Sequence, residues 1–536
     1  MNEADTKRLL FCSKRPSAER PRKVGGFCRY AMPKLTIDGK EITVEKGTKV
    51  IDAALRLGIF IPRYCYHPGL SIAGNCRICM VDIEKSPKTQ IACNTDCQDG
   101  MVVRTDTEKA KETRRHVLEF LLANHPLDCP VCDQAGECWL QDYYMRFGLY
   151  DGRFYEEKVK KQKAVSIGPT VMLDSERCIL CSRCVRFSDE ITKTSEFGIV
   201  NRGDHSEITV HPGRELNNPY SGNVVDICPV GALTDKDFRF KCRVWYLKKT
   251  DSVCPGCSRG CNIEIHTNSH RPQHGAGERV MRLKPRENRE VNQWWMCDAG
   301  RYGYKSIDHN RIETPAVREK NSVKESAWGD ILDRVAGEVR EAGEKITIFV
   351  SPQLSNEELY LVKKLFVGAR CAVFSPNREG DQDDLLIRAD KNPNMKGAEL
   401  LGFVGENTGA RAGDGVIVFG QDLPLETASL SIFIGPNHNL TSEKARYVLP
   451  SAAYAEKNGT FTNFQGRVQK FNRALEPLGQ SLPEWKILQE LANRLGHSWN
   501  YQTEEEIFNE MAQKEEAFRG LSYGKIGPGG ILCPAS

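Results

Sequence analysis

The sequence lacks any run approaching the ~20 uninterrupted apolar residues that a membrane-spanning helix needs. Its most apolar stretch, residues 50–61, is broken by Asp52 and Arg56. It also lacks a G-x-G-x-x-G fingerprint and a Walker A sequence, so neither a dinucleotide nor a nucleoside triphosphate has a recognisable cradle. The glycine-rich stretch 402–415 is without the lysine and serine of a phosphate loop and reads as a flexible surface loop. Charge of one sign is scarce: 75 Lys and Arg against 71 Asp and Glu leave a formal net charge of +4. Such a balance gives no reason to expect a nucleic-acid partner. There is no tandem repeat and no long low-complexity segment. Cysteine nearly vanishes after residue 297, where only Cys371 and Cys533 remain.

Before that point cysteine is abundant. Of 21 cysteines, 17 lie between residues 65 and 297, and 15 of those fall into four groups. In order these are Cys65, Cys76, Cys79 and Cys93; then Cys129, Cys132 and Cys138, with His125 just ahead. Next come Cys178, Cys181, Cys184 and Cys228, and last Cys254, Cys257, Cys261 and Cys297. Each group offers four soft or borderline ligands, the number that completes the coordination of an iron–sulfur cluster or a structural zinc. Secreted disulfide scaffolds are short, whereas these cysteines come as C-x-x-C pairs in a long chain. That points to a reducing compartment with the thiolates protected by metal. Cys12, Cys28, Cys97, Cys242, Cys371 and Cys533 have no ligand spacing and read as packing or exposed thiols.

A chain of 536 residues should hold several domains, and 40% hydrophobic with 27% charged residues is ordinary for a soluble globular protein. Residues 1–31 carry eight Lys or Arg against three acids, with no apolar core for a secretory signal. Glu3, Asp5 and Glu19 argue against a transit peptide. Residues 1–32 are therefore expected to be a basic, disordered extension, with the fold starting near Met32.

Alternating residues 35–37 and 42–44 flank Asp38-Gly39, a strong hairpin signal. Thr48 can N-cap a helix carrying Val50, Ile51, Ala54, Leu55 and Leu57, which Gly58 would end. Strand, turn, strand, helix and then a cysteine-bearing loop is the opening of a β-grasp ferredoxin, and residues 79–83 and 89–93 supply two further strands. A helix over 108–123, with Val117, Leu118, Leu121 and Leu122 on its apolar face, delivers His125 and the Cys129 group. Residues 155–163 are charged and read as a solvated connector. Residues 178–191 combine a cysteine loop with the start of a helix. After Cys297, strands at 345–350, 415–419 and 430–434 and a helix at 356–367 predict an α/β domain with a largely parallel sheet.

The groups differ in what they specify. The first, C-x10-C-x2-C-x13-C, shares only its central C-x2-C with the plant-type [2Fe–2S] pattern. Its β-grasp setting favours [2Fe–2S] over zinc. The second, H-x3-C-x2-C-x5-C, could hold zinc through one imidazole and three thiolates. Its place between other candidate clusters favours a [4Fe–4S] cluster with one histidine ligand. The third is the most specific: residues 178–184 form the C-x2-C-x2-C run of a bacterial ferredoxin and Cys228-Pro229 its closing element. No second run accompanies it, so one [4Fe–4S] cluster is expected there. The fourth, C-x2-C-x3-C with a distant Cys297, suits [4Fe–4S] but leaves zinc open, because Cys254-Pro-Gly-Cys257 looks like a zinc knuckle.

In this order the four groups closely resemble the large iron–sulfur subunits of respiratory complex I, the 75-kDa type of NADH–quinone oxidoreductase. The resemblance runs from Met32 onward and is most specific through residue 300. Residues 449–450, 456–463, 466–467 and 484–485 look like the closing part of a molybdopterin oxidoreductase domain. The resemblance implies a multidomain α+β and α/β chain: a β-grasp [2Fe–2S] domain (33–110), a one-histidine/three-cysteine domain (111–150) and a ferredoxin-like [4Fe–4S] domain (168–247). A molybdopterin-oxidoreductase-type [4Fe–4S] domain (248–305) and a shortened molybdopterin-oxidoreductase-like domain (306–536) would follow. It implies one [2Fe–2S] and three [4Fe–4S] clusters, and electrons passed from a flavin/NADH-binding subunit toward quinone-side iron–sulfur subunits. Proton translocation would be a property of the whole complex, and no residue of this chain would be catalytic. The chain would be peripheral, on the cytoplasmic face of a bacterial inner membrane, with no complete NADH or quinone site. The fourth group, which occurs in only some bacterial members, would lie off the main electron path. Asp298, Ala299 and Gly300 follow Cys297 where molybdopterin enzymes typically place a lysine, and no residue stands out as a molybdenum ligand. No molybdopterin is expected, and the last domain should serve structure and docking. The rivals are an iron–sulfur subunit of a formate dehydrogenase or hydrogenase complex, and a zinc-stapled scaffold.

Overall fold

The computed structural model describes residues 32–534 apart from 269–271, 276, 320–321, 374–376, 404–414, 424 and 426–429. The N-terminal extension with Cys12 and Cys28, and most of the glycine-rich stretch 402–415, therefore lie outside the described residues. The chain forms two compact units, one from residues up to Ile61 with Val81–Thr107, the other from Pro62–Met80 with Glu108–Ser536.

The first unit is built on a five-stranded sheet in the order Lys40–Thr43, Lys34–Ile37, Val102–Arg104, Met80–Ile83, Gln90–Ile91. Asp38 (φ 46°) and Gly39 (φ 80°) are both left-handed, the type I′ geometry that matches strand twist, so the expected hairpin forms. The helix runs Val50–Arg56 and buries Val50, Ile51, Ala53 and Ala54 on the sheet, with Gly58 (φ 70°) just beyond its end. Its N-cap is Lys49 rather than Thr48. Thr48 is instead tied by its backbone, its carbonyl accepting from the Cys97 amide at 2.9 Å. The strand Val102–Arg104, parallel to Lys34–Ile37, fills the centre of the sheet and was not expected from the pattern. Residues 89–93 divide into the strand Gln90–Ile91 and a 3₁₀ turn, Ala92–Asn94, that holds Cys93.

In the second unit the expected helix spans Glu108–Ala123 and is followed by Trp139–Phe147. Leu118, Leu140, Tyr143 and Phe147 pack with Tyr64, Ile78 and Val230. Residues 155–163 have no helix or strand, but they are fastened rather than merely solvated. The Lys158 ammonium donates to the carbonyls of Leu122 (2.9 Å) and Ala123 (2.8 Å), satisfying acceptors that the helix end leaves open. A three-stranded sheet (Leu233–Asp235, Val171–Leu173, Val165–Ser166) and an antiparallel one (Lys248–Val253, Asn262–Thr267, Val280–Pro285) follow.

A seven-stranded sheet closes the chain, in the order Ser322–Glu325, Ala316–Glu319, Tyr447–Pro450, Ser431–Gly435, Gly415–Phe419, Ile346–Val350, Arg370–Val373. The last five are mutually parallel, as the sequence predicts, with an antiparallel hairpin at one edge. The central strands Ile346–Val350, Gly415–Phe419 and Ser431–Gly435 are buried along their whole length, which explains their unbroken apolar runs. Helices Trp328–Ala342, Asn356–Leu365, Glu484–Arg494 and Glu504–Lys514 contribute to its core. Among the described residues no helix is long and apolar enough to cross a membrane.

Candidate iron–sulfur sites

The Cys178 group is assembled by two short helices. Left-handed Leu180 (φ 54°) and Ser182 (φ 58°) coil the loop tightly enough to return three thiols to one side. The helix Arg183–Arg186 then carries Cys184 away from the loop. The helix Asn223–Ile227 delivers Cys228 from the other side. All four thiols line one cavity of about 20 Å³, walled by Leu173, Ile208, Val230 and Leu233. Burial pushes Cys178 and Cys228 up to about 12 and raises Cys181 and Cys184 as well. Four crowded thiols in one buried cavity cannot all ionise without compensating positive charge, and metal binding deprotonates a coordinating thiol outright. The Leu180 amide donates to the Cys178 sulfur at 3.4 Å, the kind of backbone contact that stabilises a bound thiolate.

The Cys254 group sits at a hairpin end. Strands Lys248–Val253 and Asn262–Thr267 bring Cys254 and Cys261 together, with the Cys254 amide donating to the Cys261 carbonyl at 2.8 Å. Cys297 caps the helix Asp298–Tyr302, its sulfur accepting from the Gly300 amide at 3.3 Å. A cavity of about 110 Å³ is lined by all four cysteines with Met296, Leu386 and Ile387. A side chain at Gly300 would stand 3.0 Å from the Cys254 sulfur and 3.4 Å from that of Cys297, so glycine keeps this cradle open. Burial raises Cys254 and Cys261 and pushes Cys297 up to about 11.

In the His125 group the thiols of Cys129, Cys132 and Cys138 interact electrostatically. His125, Cys129 and Cys138 line a cavity of about 530 Å³ with Leu118, Leu140 and Tyr144. Cys132 lies on another side, where a Cβ on Gly231 would come within 2.3 Å of its sulfur. Burial, helped by Lys158 and Arg177, lowers His125 to about 4, which leaves its imidazole neutral and able to donate a lone pair. Cys138 caps the helix Trp139–Phe147.

The Cys65 group divides between the units. Cys65, Cys76 and Cys79 belong to the Pro62–Met80 loop, where the Cys65 amide donates to the Cys76 sulfur at 3.4 Å. Cys93 is buried in the first unit.

None of the described cysteines forms a disulfide. Among the described residues no three or more His, Cys, Asp or Glu side chains converge on the spacing of a single metal ion. In the Cys178 and Cys254 groups the thiols instead surround a shared cavity, and four converging soft donors are the ligand chemistry of a polynuclear iron–sulfur group. Cys97, Cys242 and Cys533 are buried away from these cavities and Cys371 is half-buried on an edge strand.

Sequence reasoning missed the charged side chains around these loops. Arg282 forms a two-pronged ion pair with Glu137, the residue before Cys138, at 2.9 and 2.8 Å. Its Nε donates to Nδ1 of buried His266 at 3.1 Å, and His266 Nε2 faces Glu264 at 3.0 Å. Single charged residues have no spacing signature, so nothing along the chain marked them.

A separate cavity of about 300 Å³ lies at the carboxyl ends of the parallel strands, lined by Ser351, Phe419, Gly420, Pro436, Ala452 and, from the cysteine hairpin, Cys254. One wall holds Lys457, whose ammonium binds Glu358 at 2.8 Å and Glu484 at 2.6 Å, all three buried. Burial alone would raise Glu358, and the Lys457 charge together with hydrogen bonds from Lys457, Glu484 and the Ser355 amide lowers it overall. Burial and the Glu358 charge push Glu484 up to about 8.

Family models match in the same order as the cysteine groups. They are described as a 2Fe-2S iron-sulfur cluster binding domain (31–108), the NADH-ubiquinone oxidoreductase-G iron-sulfur binding region (114–153) and the NADH-quinone oxidoreductase subunit 3 ferredoxin-like domain (168–234). A molybdopterin oxidoreductase Fe4S4 domain (247–309) and a molybdopterin oxidoreductase domain (414–494) complete the series. The chain is 30% identical to the G-type subunit of the NADH-quinone oxidoreductase of Rickettsia bellii, over 92% of this chain and 91% of the relative. It is 35% identical to the NADH-ubiquinone oxidoreductase 75 kDa subunit of Reclinomonas americana, over 76% of this chain and 61% of the relative. A solved NAD+-reducing [NiFe]-hydrogenase chain aligns at 32% identity and a TM-score of 0.36, over 40% of this chain and 91% of that one. The ordered cluster domains and the near full-length relative together mean that the chain belongs to the family of G-type, or 75-kDa-type, iron–sulfur subunits of NADH-quinone oxidoreductase.

Proposed function

We propose that this chain is the electron-carrying iron–sulfur subunit of an NADH:quinone oxidoreductase, with four ligand sets. Cys65, Cys76, Cys79 and Cys93 would hold a [2Fe–2S] cluster. Three [4Fe–4S] clusters would be held by His125/Cys129/Cys132/Cys138, by Cys178/Cys181/Cys184/Cys228 and by Cys254/Cys257/Cys261/Cys297. The observation that carries this reading is the row of four cysteine-rich sets, matched in order by cluster-binding family models. When bound, such clusters supply one-electron storage at potentials set by ligand type, hydrogen bonds to sulfur and solvent exposure.

The chain's own residues govern those settings. Leu173, Ile208, Val230 and Leu233 exclude water from the Cys178 set. Amides of Leu180, Gly256 and Gly300 donate to ligand sulfurs and stabilise their charge. Neutral His125 replaces a thiolate, which removes one negative charge from its set and should raise its potential. The chain would take electrons from a flavin/NADH-binding subunit and deliver them to quinone-side iron–sulfur subunits. It would sit at the cytoplasmic face of the membrane, held there by partner subunits. Adding NADH to the purified complex should produce low-temperature EPR signals that Cys178→Ser removes in part, and added quinone should abolish them. Signals reduced by dithionite but never by NADH would contradict this role.

A further inference from the structure

Arg183, between the ligands Cys181 and Cys184, is almost fully buried, at 2% exposure. Its Nη2 donates to the Tyr66 carbonyl at 2.6 Å and its Nη1 to the Ile227 carbonyl at 2.9 Å. The guanidinium lies 4.6 Å from the centre of the Trp139 ring. Tyr66 follows Cys65, Ile227 precedes Cys228 and Trp139 follows Cys138. One side chain therefore touches the neighbours of ligands from three of the four sets. Arg186 strengthens the same junction, donating to the carbonyls of Cys65 (2.6 Å) and Cys181 (3.3 Å).

Among the described residues no carboxylate forms an ion pair with Arg183. The ionisable groups that face it include the thiols of Cys181 and Cys228, the Tyr143 phenol, the His67 imidazole and the Arg63 guanidinium. Its Nε has no hydrogen-bond partner, and it forms part of the wall of the cavity that the four thiols line. A buried, unpaired cation is strongly unfavourable. It becomes favourable once the facing thiols carry the negative charge of a bound cluster.

We infer that Arg183 is a positioning and tuning residue. Its guanidinium ties the loops of three ligand sets together and, as the fixed counter-charge of the Cys178 set, raises that set's reduction potential. The inference rests on the Cys178 set holding a [4Fe–4S] cluster. Reduction adds one electron to the set and no proton moves, so a nearby fixed cation stabilises the reduced side.

The test is an EPR-monitored redox titration of the assembled complex, following the signal that Cys178→Ser removes. The neutral variants Arg183→Met and Arg183→Gln should keep their iron and favour the oxidised form at least tenfold more, about 59 mV for a one-electron couple. Arg183→Lys, which keeps the charge, should stay within about threefold of the unsubstituted protein. Neutral variants that keep iron and shift less than threefold would overturn the inference, as would a lysine variant shifted as far as methionine. Should both neutral variants lose this iron, retention by the lysine variant supports the counter-charge and its loss there overturns it. A complex without any Cys178-dependent signal would instead overturn the cluster assignment itself.

Discussion

His266 is fully buried on the strand Asn262–Thr267, and its ring nitrogens are already committed. Nδ1 accepts from Arg282, so protonating it would set one N–H against another. Burial, aided by the charges of Arg282 and Lys284, lowers its pKa from 6.5 to about 4 despite Glu264 opposite. The folded chain therefore holds this imidazole neutral. The stability this provides is complete above the unfolded value of 6.5 and is lost as pH falls through about 4. The loss is at most about 3 kcal/mol. Denaturant midpoints measured from pH 7 to 4 should fall along this limb, and His266→Gln, which keeps an acceptor for Arg282, should flatten it. Lys457 is the opposite case, a buried cation between two acids. Lys457→Met should cost about 3–5 kcal/mol, because Glu358 and Glu484 would be left without their ammonium. Equal denaturant midpoints for Lys457→Met and the unsubstituted chain would contradict this pairing. The four cysteine sets were legible in the sequence, since a shared group would demand fixed spacing. Arg183, His266 and Lys457 were not, because each is defined by partners far away along the chain.

Elements were legible where local chemistry decides them. Asp38-Gly39 can supply two left-handed residues at little cost, so the first hairpin could be read directly, and so could the helix Glu108–Ala123 from its spacing. The buried strand Ile346–Val350 announced itself as an apolar run. The strand Val102–Arg104 was invisible because three residues carry no period, and its pairing with Lys34–Ile37 is made across distant sequence. Thr48 lost the cap position to Lys49 for a similar reason: backbone bonds to the segment around Cys97 fix the approach to the helix. The Gly231 turn makes an element-scale contact that can be checked. Gly231→Ala would drive a methyl group into the Cys132 sulfur, which lies 2.3 Å from that position. The expected result is loss of the iron bound by the His125 set, about four atoms, with the other sets retained. Iron analysis alongside EPR checks it, and a full iron complement in this variant would contradict the crowding.

For the whole molecule, the order of ligand sets carried most of the meaning. The 75-kDa-type family is recognisable from that order alone, and the α/β class of the last domain from its alternating pattern. Which strand pairs with which, and the buried charges that bind loop to loop, depend on tertiary packing. The hairpin that holds Cys254 lies against the seven-stranded domain: the Ser258 amide donates to the Asp390 carbonyl at 2.9 Å, and Arg259 to the carbonyls of Leu385 and Leu386. This placement suits a side cluster with a structural role. Cys254→Ser should remove about four irons while NADH-to-quinone turnover is largely kept; loss of turnover in a correctly assembled complex would put this set on the main path. The most direct measurement is metal analysis of the purified protein, combined with low-temperature EPR after dithionite reduction. About 14 iron atoms per chain are expected, from one two-iron and three four-iron clusters. Zinc in place of iron, with no EPR signals, would contradict the account.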